Sequence, residues 1–265
     1  MRHMHATAQL TGDTASPEVK ASGDNPDSDV RFTRRVAQVT VKPGLTFLVV
    51  VALAALLVII YAIGAVDPEA RSASAVGEGG RFDLNAEHSF GSWLSTVIWA
   101  SAGVALSGLA IRESMRRVQR RGWALLSITS FYISLDEATA LHEWLSGRLS
   151  QRLGLEGSLA WSTWLVPAAV ATILLIVVLR PFLLALPRRT LWLMILAGGV
   201  FVTGAGGMEV VEAVMANYVT PTSMAFSVVM AFEEFCELVG AALFLYAIYT
   251  YTARTIDVRE PVFAS

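Results

Sequence analysis

Residues 45–66 read LTFLVVVALAALLVIIYAIGAV, an uncharged run that is apolar on every helical face. An α-helix needs roughly 20 such residues to cross the hydrocarbon core of a bilayer. The run stops at Asp67-Pro68, where proline cannot continue a helix. Five more runs of similar length follow: Gly91–Ile111, Trp123–Leu145, Trp164–Leu179 (continuing to Leu186 before Pro187), Leu191–Ala216 and Met224–Tyr251. One such run fits a buried soluble helix, but six in succession at bilayer length predict an all-α transmembrane bundle of six helices over residues 45–251.

Composition agrees. Of 265 residues, 54% are hydrophobic and 16% charged, against about 25% charged in soluble chains. The mean hydropathy is +0.55. A soluble domain of this length has too little interior to hide that much apolar surface. The formal net charge of −2 and the lack of a basic domain argue against nucleic acid as a partner. The lone Cys236 excludes an intramolecular disulfide framework and a cysteine-cluster metal site.

Residues 1–40 are rich in Ser, Thr, Asp, Gly and Pro and lack the apolar content to offset ordering entropy. They are expected to form a disordered tail. No apolar run near Met1 reads as a signal peptide. Residues 252–265 read as a second short tail.

Orientation comes from Lys and Arg. With the N-terminus inside, the cytoplasmic side holds Arg31, Arg34, Arg35, Lys42, Arg112, Arg116, Arg117, Arg120, Arg121, Arg180, Arg188, Arg189, Arg254 and Arg259. The opposite side holds Arg71, Arg81, Arg148 and Arg152. Both termini are therefore expected to be cytoplasmic. Trp93, Trp123, Trp144, Trp161, Trp164 and Trp192 fall near the run ends, as an interfacial aromatic belt would.

Against this apolar background the third, fifth and sixth runs carry Asp136, Glu137, His142, Glu143, Glu209, Glu212, Glu233, Glu234 and Glu237. No Lys or Arg lies within the six runs, so internal ion pairs cannot neutralise the acids. Three central acids cost the sixth run about 8–10 kcal/mol on insertion scales, while its apolar residues return roughly 5–9 kcal/mol. That helix needs partners, neutralisation, or both. The acids can be protonated, line a wet cavity, or bind cations.

Spacing puts acids on shared faces. Glu209 and Glu212 are i, i+3, Glu233 and Glu237 are i, i+4, and Glu234 and Glu237 are i, i+3. On one continuous helix Asp136 and Glu143 (i, i+7) lie about 20° apart. With alternating run directions, the clusters meet between the midplane and the outer surface. Asp83, Glu87 and His88 approach from the loop before the second run.

Carboxylates with an imidazole suit Fe, Mn or Zn as a divalent metal cofactor. Di-iron bundles gather Glu and Glu-x-x-His similarly, although His142 and Glu143 here are adjacent. The candidate metal ligands are Asp136, His142, Glu143, Glu209, Glu212, Glu233 and Glu237. Glu137 and Glu234, each beside a better-placed neighbour, stand behind the ligands or serve as general base, the candidate catalytic role. Three readings follow. The first is a metal-dependent membrane hydrolase or oxidoreductase acting on a lipid-like or other small-molecule substrate. The second is a proton- or cation-coupled transporter using the acids as a relay. The third is a scaffold in which protonated acids only specify packing.

Three groups of residues also carry a resemblance. They are Phe82-Asp83-Leu84-Asn85-Ala86-Glu87 with Trp93; Ser134-Leu135-Asp136-Glu137-Ala138 with His142-Glu143; and Glu233-Glu234 with Glu237, Gly240 and the stretch 241–246. Over about residues 45–250 the chain resembles a family of uncharacterised six-helix bacterial integral membrane proteins. The resemblance implies a multi-pass protein of the bacterial plasma membrane and no particular activity.

The charge asymmetry makes a topology prediction. A reporter active only outside the cytoplasm should be silent when fused after Ser265 and active in the loop between Asp67 and Phe90. The reverse pattern would overturn the orientation.

Overall fold

The computed structural model describes residues 42–66, 80–84, 86, 88–112 and 115–257. The expected tail over residues 1–40 lies outside them. Among the described residues there are seven helices and no strand. They are α1 (Pro43–Val66), α2 (Phe90–Ala110), α3 (Arg117–Thr139), α4 (Leu141–Leu153), α5 (Ser158–Leu183), α6 (Arg188–Met215) and α7 (Met224–Asp257). Four of them, α1, α2, α5 and α6, are long and apolar enough to cross a membrane. The other two long helices, α3 and α7, hold Asp136, Glu137, Glu233, Glu234 and Glu237.

Two sequence boundaries are corrected. The third run is not one helix, because Ala140 takes a left-handed conformation (φ 51°) and ends α3. The shorter α4 then leaves in a new direction, so the i, i+7 relation of Asp136 and Glu143 does not hold. The last helix also runs past Tyr251, where the sixth run ends, to Asp257, and residues 258–265 lie outside the described residues.

α7 is the central post, packing on α1, α2 and α6, while α3 packs on α2, α4 and α5. One end of the bundle is solid. Trp123 at the start of α3, fully buried, meets Phe182 of α5 and Tyr251 of α7, each with ring centroids 4.8 Å away. Aromatic pairs at such separations add to simple burial. Leu106, Leu109 and Ile248 fill the space around them. Serines join α2 to α3: Ser127 Oγ donates to the Gly103 carbonyl at 2.9 Å, and Ser134 Oγ to the Thr96 carbonyl at 2.9 Å. Such side chain to backbone bonds hold helices together where lipid supplies no hydrophobic drive between them.

The exposed face of α5 is what lipid would cover. In its Leu165–Leu183 stretch only Leu179 and Phe182 are buried, while Ile173, Leu174, Ile176, Val177 and Val178 are all more than half exposed.

α6 and α7 approach backbone to backbone at two glycines. A Cβ on Gly240 would stand 2.6 Å from the Phe201 backbone nitrogen, and one on Gly204 2.8 Å from the Glu233 carbonyl oxygen. Neither backbone atom can swing aside. Gly204 belongs to a π-helical stretch, Thr203–Met208, just before Glu209. The widened turn advances Glu209 and Glu212 around the axis relative to an uninterrupted α-helix.

Gly240→Ala and Gly204→Ala should each destabilise the protein by about 1–3 kcal/mol through overpacking. Gly108→Ala, where an added Cβ meets nothing within 4 Å, should be neutral or gain up to about 1 kcal/mol in helix propensity. Thermal unfolding in detergent checks the contrast, and equal effects at all three sites would refute the close-approach account.

Candidate functional site

Opposite the aromatic end the bundle is hollow. A cavity of about 700 Å³ lies between α3, α5, α6 and α7, with the start of α4 and the segment before α2 at its rim. Asp136, Glu137, His142, Glu143, Glu209, Glu212, Glu233, Glu234 and Glu237 all line it. The structure thus brings the seven candidate metal ligands and the two candidate catalytic acids to one cavity. No Lys or Arg is among the described residues lining it. Its other wall is apolar: Ile128 and Ile133 from α3, Pro167, Ala168, Ala171 and Leu175 from α5, Phe201 from α6 and Met230 from α7.

Each acid is held by a local feature of its helix. Asp136 sits one turn before the Ala140 break, and its carboxylate turns onto the new helix. Its Oδ1 accepts the His142 backbone N–H at 2.9 Å, and its Oδ2 lies 2.9 Å from the His142 Nδ1. The backbone bond satisfies a donor left free in the first turn of α4, as an N-cap side chain would. The ring bond fixes the imidazole, which also packs on Trp164 with centroids 5.1 Å apart. Both side chains stay partly accessible, Asp136 at 19% and His142 at 27%.

Glu209 is within hydrogen-bonding reach of the Trp164 side chain and in electrostatic range of Glu212, His142 and Glu143. Glu212 and Glu233 lie within hydrogen-bonding reach of each other. Two carboxyls hydrogen-bond only through a shared proton. The Glu212 Oε1 is buried with no hydrogen-bond partner among the described residues. Glu233 is 8% exposed. Glu237 feels Glu137, Glu234, Glu233 and Glu209. The two acids set apart as helpers, Glu137 and Glu234, are therefore in the same electrostatic cluster as the expected ligands.

The clustering is loose. Among the described residues no three His, Cys, Asp or Glu side chains are drawn together closely enough to hold one metal ion. The site is a ring of acids around a volume. Of the loop residues expected to approach, Glu87 lies outside the described residues. Asp83 is buried and His88 is exposed, and the cavity is reached instead by Leu84 and Ala86.

Trp164 was not foreseen as a site residue. It stood in the sequence as one more interfacial tryptophan, yet it touches both His142 and Glu209. Ser92, Thr129, Tyr132 and Thr172 also line the cavity. Their only signal was polarity in otherwise apolar runs.

Fold and cavity together define an all-helical membrane protein with an acid-lined interior. Residues 35–252 match the family model described as Domain of unknown function (DUF8692), and the chain belongs to that family. No curated protein and no solved structure matches the chain.

Replacing Asp136 tests its double role. Asp136→Ala should cost about 1–2 kcal/mol from the lost cap and free the His142 ring. Tryptic cleavage at Arg148 and Arg152 in α4 should accelerate relative to cleavage at Arg188. Unchanged cleavage would show that α4 is held without Asp136.

Proposed function

We propose that the chain is a multi-pass protein of the bacterial plasma membrane, crossing six times with both termini inside. In this reading the acid-lined cavity, in the outer half of the bilayer, binds a divalent metal (Fe, Mn or Zn) and uses it on a lipid-like substrate. One observation carries the reading: eight carboxyl side chains and His142, from α3, α4, α6 and α7, face one cavity with no Lys or Arg among the described lining residues. Carboxylates in a low-dielectric setting repel one another, and a bound cation removes that cost.

Glu209, Glu212, Glu233 and Glu237 form the best ligand group, because α6 and α7 carry them at the glycine-mediated close approach. The unpartnered Glu212 Oε1 is an open ligand position. Asp136 orients His142, an arrangement that suits a metal-binding imidazole. Binding would draw the glutamate side chains from the present ring onto an ion at about 2–2.6 Å. The metal would polarise a substrate oxygen, activate water or handle oxygen. Glu137 or Glu234 would take up a proton. The apolar wall opposite supports a lipid-like substrate.

The second reading, a proton- or cation-coupled transporter, is favoured by one observation. Glu212 and Glu233 lie within hydrogen-bonding reach of each other, so a proton passed between them would supply one step of a relay.

Metal analysis of protein purified in detergent tests both. The expected outcome is near-stoichiometric Fe, Mn or Zn that is lost in Glu237→Ala and Glu237→Gln. Metal-free protein with a fully tolerated Glu237→Gln would defeat the metal reading, since an amide replaces a protonated carboxyl but not a metal ligand. Proton uptake coupled to a solute would then establish the relay.

A further inference from the structure

α4 has two faces. Ser146 and Ser150 are buried. Ser146 Oγ donates to the Trp161 carbonyl at 2.6 Å and accepts the Trp164 backbone N–H at 3.2 Å, while Thr163 Oγ1 donates to the Ser146 carbonyl at 3.1 Å. These bonds dock α4 on the start of α5 and fix its rotation. The outward face then presents Trp144, Arg148 and Arg152 at i, i+4 and i+8. Trp144 is 60% exposed, and the Arg148 guanidinium stacks over its ring at 5.4 Å.

Neither arginine is paired with an acid among the described residues, although the cavity beside them is lined by acids. Like charges at i, i+4 destabilise a helix unless something relieves them. Both arginines line a groove of about 270 Å³ together with Leu145, and Leu145 also lines the acidic cavity. Groove and cavity therefore share a wall.

We infer that Arg148 and Arg152 hold the phosphate of an anionic membrane lipid headgroup, placing that lipid at the mouth of the acidic cavity. Two guanidiniums on adjacent turns match the oxygens of one phosphate, and Arg forms paired hydrogen bonds to such groups. Stacking on Trp144 leaves the edge N–H donors of Arg148 free and limits its rotamers. An amphipathic helix bearing Trp, Leu and Arg belongs at the water–lipid boundary, where phosphates are concentrated. A soluble phosphate would gain nothing from Leu145 and Leu149 in the groove or from the apolar side chains, Ala168 and Ala171 among them, of the cavity that Leu145 also lines; an acyl or isoprenoid chain would. The inference deepens the proposed function by naming the substrate class as phosphate-headed lipid.

The test is native mass spectrometry of the detergent-purified full chain, with phosphatidylglycerol or phosphatidylcholine added and metal content measured on the same samples. Phosphatidylglycerol should be retained in preference to phosphatidylcholine. Arg148→Gln with Arg152→Gln should weaken its retention about tenfold, the loss of charge-assisted hydrogen bonds, with the fold retained, because both positions are exposed and the repulsion between the two charges is removed. Arg148→Lys with Arg152→Lys should retain an intermediate level, since charge remains but the paired geometry is lost. Equal retention of the two lipids, or of phosphatidylglycerol by wild type and the glutamine pair, overturns the inference. So does displacement of the lipid by excess inorganic phosphate, which would mark a site for free phosphate. Lipid retention that depends on the arginines in metal-free protein upholds the headgroup site and rejects the metal reading alone.

Discussion

A carboxylate cannot face hydrocarbon at tolerable cost, and this chain places acids on three of its long helices without an intramembrane base to pair them. Their faces must turn inward. Four elements then have to leave space between them for groups that repel each other. Solid aromatic packing around Trp123 at one end and a hollow at the other follow from that constraint. The first end is free to close; the second is not.

The hollow does not loosen the fold, because the helices carrying most of the acids are joined elsewhere. α6 and α7 touch backbone to backbone at Gly204 and Gly240, where any side chain would collide with main-chain atoms. Gly204 meets the Glu233 carbonyl itself, so the same contact that joins the two helices sets the spacing of Glu209 and Glu212 from Glu233 and Glu237. Serine bonds from α3 to α2 anchor the opposite wall. At the far end the ring contacts of Trp123 with Phe182 and Tyr251 tie α3 to α5 and α7, so the walls that part around the cavity meet below it.

Asp136 shows how a local event shapes the site. A continuous third helix would have carried Glu143 up the same face as Asp136. The left-handed turn at Ala140 ends that helix, and the Asp136 carboxylate supplies the missing acceptor at the start of the next one. His142 is thereby held beside Asp136, and α4 is turned so that its arginines lie by the rim. One capping interaction connects the acidic interior to the helix that carries Arg148 and Arg152.

The sequence by itself determined the all-helical membrane character, because bilayer thickness and backbone hydrogen bonding leave apolar runs of that length few alternatives. It also marked the nine acidic and histidine residues, since charge within such runs is conspicuous and helical spacing assigns each to a face. Tertiary structure decided what spacing cannot express: the relative rotation of the helices, and hence that all nine meet at one cavity. It also decided the break at Ala140, where the Asp136 side chain caps the next helix, and the π-helical turn at Thr203–Met208, where Gly204 fits closely against α7. Trp164 became a site residue only because the docked α4 brings His142 against it. Periodicity fixes what a helix shows along its own axis; which neighbour it shows it to depends on contacts between distant parts of the chain.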